Sequence, residues 1–253
     1  MDLAIAGRTA LVGASTEGLG FATALALAEE GVRVGLSGRE LGRVEAAAAS
    51  IRAKVPGCEV VAFAADLSTV EGALALVEAA RSRLATVDIL VASVGGPPPG
   101  PAQATDLATL QAALDRCLLS MVALCQGFLP GMRERRWGRI VAITSGGVRA
   151  PLANMVYSNT ARSGLTAYLK TLSSEVIAEG VTVNSVLPSN QVTKRLEQLV
   201  GDGMPRYLAA LPARRGGDPR DFGRITAFLC SEAANYLTGV ALPVDGGTGP
   251  ALI

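Results

Sequence analysis

Short runs of apolar, often β-branched residues alternate with longer Ala- and Leu-rich runs along the chain of 253 residues. The short runs are apolar without alternation, which is typical of strands buried on both sides of a parallel sheet. We predict strands at 9–12, 32–37, 60–64, 89–92, 140–144, 181–186 and 241–244. The longer runs predict helices, for example at 20–30, 42–54, 70–84, 107–135 and 155–179. This alternation predicts an α/β fold with a doubly wound, seven-stranded parallel sheet and helices on both faces.

No linker or break in composition divides the chain, so we expect a single domain over residues 1–253. The stretch 193–219 is rich in Gly and Pro and is expected to be irregular. Loops of this length in compact domains often close over a binding site. We therefore expect a lid-like insertion at about 193–219.

Composition excludes several classes of function. The formal net charge is only +1 and aromatic residues make up 4%, which argues against nucleic acid or a membrane surface as a partner. The chain has no histidine, which excludes Ser-His-Asp hydrolysis and most zinc sites. Four scattered cysteines without a C-x-x-C pair, no signal peptide and no apolar run of roughly 18 residues favour a cytoplasmic protein.

A glycine-rich turn follows the first predicted strand, with the sequence Gly13-Ala14-Ser15-Thr16-Glu17-Gly18-Leu19-Gly20. Glycines at such a joint allow backbone N–H groups and a helix N-terminus to approach a pyrophosphate. The turn and the helix after it therefore predict a dinucleotide site.

A second informative segment is SGGVRAPLANMVYSNTAR, from Ser145 to Arg162. It resembles the catalytic segment of the short-chain dehydrogenase/reductase family, in which a Ser is followed by twelve residues and then by Tyr-x-x-x-Lys. Counting from Ser145, the Tyr position is Ser158, the Lys position is Arg162, and Tyr157 lies one residue early. The chain thus carries Ser-x12-Ser-x3-Arg, and its general layout is most similar to that of 3-oxoacyl-carrier-protein reductases.

The resemblance covers almost the whole chain and implies a Rossmann fold that binds a nicotinamide dinucleotide. Residues 13–20 match the family's T-G-x-x-x-G-x-G loop with Ala14 in place of its first Gly. Either Gly13 supplies the lost backbone freedom one step earlier, or the loop binds less tightly. The resemblance also places Asp66 beside the adenine and Thr193 near the carboxamide of the nicotinamide. Ser93 and Gly95 stand in the segment where the family has N-N-A-G. Leu67, next to Asp66, and Pro188 complete the expected cofactor residues.

Residues at the end of the second strand bear on the choice of nucleotide. NAD-dependent relatives usually carry an acid for the adenosine ribose where this chain has Gly38. Arg39 follows, where a guanidinium would pair with a 2′-phosphate. Glu17 occupies a position where NADP-dependent relatives often have Lys or Arg, so it either repels the phosphate or pairs with Arg39. The balance favours NADP(H) and leaves NAD(H) open.

In the family, the cofactor provides a hydride and the Tyr a proton, while the Lys lowers the pKa of the Tyr from about 10. The resemblance implies that Ser145 orients the substrate oxygen. Arg162 keeps the positive charge of the Lys, but an always-protonated guanidinium cannot relay a proton. Cys117 falls where the family has a helix Asn, and a thiol is a poor substitute for an amide that holds a water.

The proton donor is left open between two residues. In a regular helix Ser158 faces the substrate and Tyr157 points about 100° away around the axis. A shift of one residue in the preceding loop would instead bring Tyr157 to the site. The family spacing on both sides of Ser158 favours the regular helix.

We therefore predict an oxidoreductase that transfers hydride between NAD(P)(H) and a carbonyl/alcohol pair, with a 3-oxoacyl thioester or a related ketone as candidate substrates. The alternative is a catalytically impaired relative that binds nucleotide as a sensor or scaffold. A third hypothesis is a site repurposed for dehydration or isomerisation. Helices 107–127 and 159–176 correspond to those through which relatives assemble, so a homodimer or homotetramer is expected.

Overall fold

A computed structural model describes residues 2–251 of the chain. Its centre is a sheet of seven parallel strands in the order β3-β2-β1-β4-β5-β6-β7. The strands are β1 (Thr9–Val12), β2 (Arg33–Gly38), β3 (Val60–Ala64), β4 (Ile89–Ala92), β5 (Gly138–Ile143), β6 (Val181–Pro188) and β7 (Ala241–Val244). The predicted parallel sheet is confirmed. The single domain over 1–253 stays a prediction, and residues 1, 252 and 253 lie outside the described part.

Helices cover both faces of the sheet. They are α1 (Gly18–Glu29), α2 (Leu41–Lys54), α3 (Val70–Leu84), α4 (Leu107–Leu114), α5 (Ser120–Glu134), α6 (Val156–Val176), α7 (Lys194–Val200), α8 (Met204–Ala209) and α9 (Pro219–Leu229). One apolar core lies beneath α1, α2 and α9, and a second lies beneath α3, α5 and α6. β1, β4 and β5 are buried along their whole length, which accounts for the apolar runs at 10–12, 89–92 and 140–143.

The helix predicted at 107–135 is one long helical stretch with an internal defect. Five residues of π-helix, Asp115–Leu119, separate α4 from α5. By length and mean hydropathy the stretch Leu107–Glu134 could cross a membrane, contrary to the expectation that no apolar run is long enough. In the fold, Met121, Leu124 and Phe128 of α5 are buried in the core shared with α3. Core packing therefore accounts for part of its apolar composition.

The expectation that residues 193–219 are irregular is wrong for 194–209, which form α7, a short 3-10 turn and α8, whereas 210–218 form no helix or named strand before α9. The lid-like insertion stays a prediction. Thr193 caps α7 by accepting a hydrogen bond from the Leu196 N–H at 3.4 Å. Asp218 caps α9 by accepting one from the Arg220 N–H at 2.8 Å. Helix α9 was not predicted, although Asp218-Pro219 is a helix-start signal.

Candidate active site

A cavity of about 440 Å³ opens at the carboxyl ends of the central strands. Its lining residues come from the segments that follow β1, β2, β3 and β4 and from the ends of β5 and β6. Ligands of open parallel sheets bind at this edge. Twelve predicted cofactor residues line it: Ala14, Thr16, Gly18, Leu19, Gly20, Arg39, Asp66, Leu67, Ser93, Gly95, Pro188 and Thr193.

The other two predicted cofactor residues, Gly13 and Ser15, have structural roles. Ser15 is fully buried, and its hydroxyl donates to the Val12 carbonyl at 2.9 Å and accepts from the Ser37 N–H at 3.0 Å. These bonds join β1 to β2 beneath the turn. Ser15 therefore lies beneath the turn and does not line the cavity, and its contact with a cofactor stays a prediction.

The turn keeps a left-handed residue at Ala14, whose φ is +44°. Gly13 does not adopt a positive φ, so the idea that it supplies the missing backbone freedom is wrong. Gly13 permits a close approach instead, because a Cβ there would collide with the carbonyl oxygen of Ser93. Ala14 thus bears the strain that a glycine would relieve.

At the rim of the cavity, Glu17 forms ion pairs with cations other than Arg39. The Glu17 carboxylate lies 3.2 Å from the Arg43 guanidinium and 3.1 Å from the Lys194 ammonium. Arg39 forms no ion pair with any of residues 2–251. Glu17 therefore pairs with Arg43 and Lys194, and Arg39 lines the cavity without an acidic partner among residues 2–251.

Asp66 lies just beyond the end of β3. Its carboxylate accepts a hydrogen bond from the Ser68 N–H at 3.0 Å. Hydrogen bonds from the Ser68 backbone and side chain, followed by the charges of Arg39 and Arg116, hold the pKa of Asp66 below its ordinary value. Asp66 is thus an ionised acceptor at neutral pH, suited to an amino group such as that of adenine.

Arg162 lies on the cavity wall where β4 and β5 end. Its Nη1 donates to the carbonyl oxygens of Ile143 and Thr144, at 2.9 and 3.0 Å, and its Nη2 to that of Val94 at 3.2 Å. The residue is 7% exposed and has no carboxylate partner within the described chain. A buried cation held only by neutral groups presents its charge to the cavity.

Thr144 is a second polar group on this wall, and sequence reasoning missed it. It is 4% exposed, and within residues 2–251 its hydroxyl has no hydrogen-bond partner. Buried hydroxyls are normally paired. Thr144 and Arg162 together make this wall suited to a hydroxyl- or amide-bearing ligand.

Ser145 and Ser158 lie beside the cavity without lining it. The Ser145 hydroxyl accepts from the Gly147 N–H at 3.1 Å and starts a short 3-10 turn at Gly146–Val148. Ser158 is buried on α6, one turn before Arg162 and on the same helical face.

Tyr157 points away from the cavity. Its phenol oxygen accepts from the Asp106 N–H at 3.0 Å, and its ring packs against Gly100. Helix α6 places Arg162 in the cavity wall and turns Tyr157 toward Asp106, so the one-residue shift does not occur. Cys117 lies in the π-helix, with its sulfur 4.0 Å from the Gly95 carbonyl oxygen.

Two adjacent basic residues of α7 reach opposite sides of the cavity mouth. Lys194 bonds to Glu17 on the glycine-rich turn, and Arg195 donates to the Pro97 carbonyl at 3.2 Å beyond β4. Both line the cavity, as do Arg43 and Arg116. None of these four was predicted, although Lys194 and Arg195 directly follow Thr193 and Arg116 directly precedes Cys117.

The residues present fit a nicotinamide dinucleotide. Gly18 has φ +61°, and a Cβ at Gly20 would lie 2.6 Å from the Ala14 carbonyl oxygen, so the turn needs both glycines. Gly95 and Gly96 border open space. Arg39 and Asp66 lie at one end of this continuous cavity, and Thr144 and Arg162 lie beyond the turn.

Comparisons with known proteins agree with this geometry. Residues 13–249 match the family model described as enoyl-(acyl carrier protein) reductase. A 3-oxoacyl-[acyl-carrier-protein] reductase of Vibrio cholerae is 32% identical, over 95% of this chain and 97% of the relative. L-Sorbose reductase from Gluconobacter frateurii, solved with NADPH and L-sorbose, is 32% identical with a TM-score of 0.93, covering 100% of both chains.

An NADPH-bound short-chain oxidoreductase from Pseudomonas aeruginosa, described as containing an atypical catalytic center, is 26% identical with a TM-score of 0.89. The match covers 96% of this chain and 97% of the other. On the family match, the identity to its relatives and the shared fold, the chain belongs to the short-chain dehydrogenase/reductase family.

Proposed function

We propose that the protein is an NADPH-dependent reductase of a small carbonyl compound. The observation that carries this proposal is the charge pattern at the rim: Arg39 has no ion-pair partner among residues 2–251, while Arg43 and Lys194 already neutralise Glu17. A 2′-phosphate then meets a guanidinium without an unpaired carboxylate opposing it. NADPH in two of the solved relatives supports the same choice.

When bound, the dinucleotide supplies the hydride. Ser145 holds the substrate oxygen by a hydrogen bond, for which its hydroxyl proton is available because the oxygen already accepts from Gly147. Arg162 stabilises the negative charge that develops beside the wall of β4 and β5. Ser158, one turn before Arg162 on the same face of α6, holds a water through which a solvent proton reaches the alkoxide oxygen after hydride transfer, so that neither the serine nor the water is left ionised.

The substrate class we propose is a small ketone, with 3-oxoacyl thioesters and keto sugars as the first members to test. The relatives that reduce a 3-oxoacyl group and L-sorbose support this choice. We further propose that the chain works in the cytoplasm as a single-domain subunit of a homodimer or homotetramer. Exposed Leu107 and Leu119 on the long helical stretch support self-association.

A nucleotide-binding protein without turnover is the second candidate. It is favoured by one observation: the only phenol on the catalytic segment, that of Tyr157, bonds to a backbone amide outside the cavity. Such a protein would keep the wall formed by Arg162 and Thr144 and would lack an efficient proton donor.

The two candidates are separated by titrating the protein with NADPH and then measuring NADPH oxidation over a panel of ketones. The reductase predicts saturable binding and turnover of at least one ketone. Ser158→Ala should then lower turnover roughly a hundredfold or more, as the loss of general acid catalysis does, with the NADPH Kd unchanged. Tight binding with no oxidation across the panel would leave the second candidate.

A further inference from the structure

Arg116 is a cation of the cavity to which no role has been given. It lies in the π-helix Asp115–Leu119 and lines the cavity together with Asp66 and Arg39. Within residues 2–251 it forms no ion pair. An unpaired guanidinium on the wall of a dinucleotide cavity is available for the ligand.

The backbone at Arg116 is held in place by Ser120. The fully buried Ser120 hydroxyl lies 2.6 Å from the Arg116 carbonyl oxygen and 3.0 Å from that of Leu67. Leu67 directly follows Asp66 along the chain. The hydroxyl therefore fixes the π-helix against the segment that presents the Asp66 carboxylate.

Two guanidiniums line the cavity together with Asp66 and come from different elements. Arg39 follows β2, and Arg116 comes from the long helical stretch between β4 and β5. After the hydrogen bonds from Ser68, the charges of both guanidiniums contribute to the lowered pKa of Asp66. Arg39 directly follows Gly38, the position at which relatives carry the acid for the ribose. Ser120 holds the Arg116 backbone beside the Asp66–Leu67 segment, where the adenine is expected.

We propose that Arg116 stacks its guanidinium on the adenine ring of the cofactor, while Asp66 accepts a hydrogen bond from the ring's amino group. A planar guanidinium favours the face of an aromatic ring, and the interaction strengthens when water is excluded. The proposal rests on the proposed function only in requiring that a dinucleotide binds. It makes Arg116 a determinant of affinity for the adenine and not for the 2′-phosphate.

The test compares Kd values of Arg116→Leu, Arg116→Lys and the unchanged protein for NADPH, NADH and reduced nicotinamide mononucleotide, which lacks adenine. Arg116→Leu should weaken NADPH and NADH by the same factor, roughly tenfold for a stacked base. Arg116→Lys should recover little of this, because the ammonium keeps the charge and loses the plane. The mononucleotide should bind all three proteins equally.

Thermal unfolding of each variant shows whether the fold is intact, and the mononucleotide Kd reports on the same protein. A loss confined to NADPH would overturn the proposal and make Arg116 a phosphate contact. Full recovery by Arg116→Lys would replace stacking with simple charge, and unchanged Kd values would remove Arg116 from the site. Failure of the unchanged protein to bind either dinucleotide would instead refute the proposed function.

Discussion

The phenol oxygen of Tyr157 accepts a hydrogen bond from the backbone N–H of Asp106, which caps α4. This hydrogen bond connects the start of α6 to the start of α4. Because the phenol faces a helix end, Tyr157→Phe should leave turnover unchanged and lower the free energy of unfolding by about 1 kcal/mol. Steady-state kinetics and urea denaturation measure the two effects. A tenfold loss of kcat would return the proton-donor role to Tyr157.

The ring of Tyr157 also occupies the space in which a side chain at Gly100 would lie. Gly100→Ala should therefore lower the free energy of unfolding by about 1–3 kcal/mol, as overpacking does. In the Tyr157→Ala background the same change should cost much less, because the ring is gone. A double-mutant cycle in urea measures the coupling. Additive effects would show that the two positions do not compete for space.

Small substitutions at Ala14 and Gly13, which lie in the same turn, should have opposite effects on the free energy of unfolding. Ala14→Gly removes a left-handed alanine that costs roughly 1–2 kcal/mol, part of which is offset by the greater entropy of glycine in the unfolded chain. We expect a net gain in the free energy of unfolding of up to about 1 kcal/mol. Gly13→Ala should lower it, since its Cβ would meet the Ser93 carbonyl oxygen. Denaturation of both variants tests the pair, and a destabilised Ala14→Gly would contradict the strain.

The sheet was predictable because doubly buried strands leave continuous apolar runs, as in Ile89–Ala92. Cavity-lining residues were predictable where they come shortly after a strand, as Asp66 does after β3. Side-chain direction was not: Ser15 and Thr16 are neighbours, yet one lies beneath the turn and the other lines the cavity. The π-helix that carries Arg116 was also beyond prediction, because a π-helix is set by tertiary packing and leaves no periodic signal.

The ion pairs of Glu17 predict how cofactor preference will change. Glu17→Gln frees Arg43 and Lys194 to attract the 2′-phosphate. The affinity for NADPH should rise only about fivefold, because these charges are partly exposed and screened. The affinity for NADH, which lacks the 2′-phosphate, should change little. Arg39→Leu should weaken NADPH and leave NADH nearly unchanged. Fluorescence titrations at low and high salt measure both ratios. Equal effects on the two nucleotides would place the 2′-phosphate elsewhere.

The lowered pKa of Asp66 predicts how binding depends on pH. A folded pKa below the unfolded value, about 3.9, means that the stabilising bonds are present above that value and are lost as pH falls through the folded pKa. Asp66 stays ionised from pH 5.5 to 8.5, and the chain has no histidine. The Kd for ADP-ribose should therefore be constant over this range, whereas Asp66→Asn should weaken it throughout. An inflection near pH 6–7 in calorimetric titrations would contradict this.

Arg162 donates hydrogen bonds to three carbonyl oxygens at the ends of β4 and β5, which predicts different losses for its lysine and methionine variants. An ammonium cannot reach all three oxygens with the fork of a guanidinium, so Arg162→Lys should lower the free energy of unfolding by about 1–3 kcal/mol. The charge remains, so NADPH should still bind. Arg162→Met removes both and should also weaken NADPH. Paired denaturation and titration experiments separate the effects; equal NADPH affinity in the Met and Lys variants would show that the buried charge does not act on the cofactor.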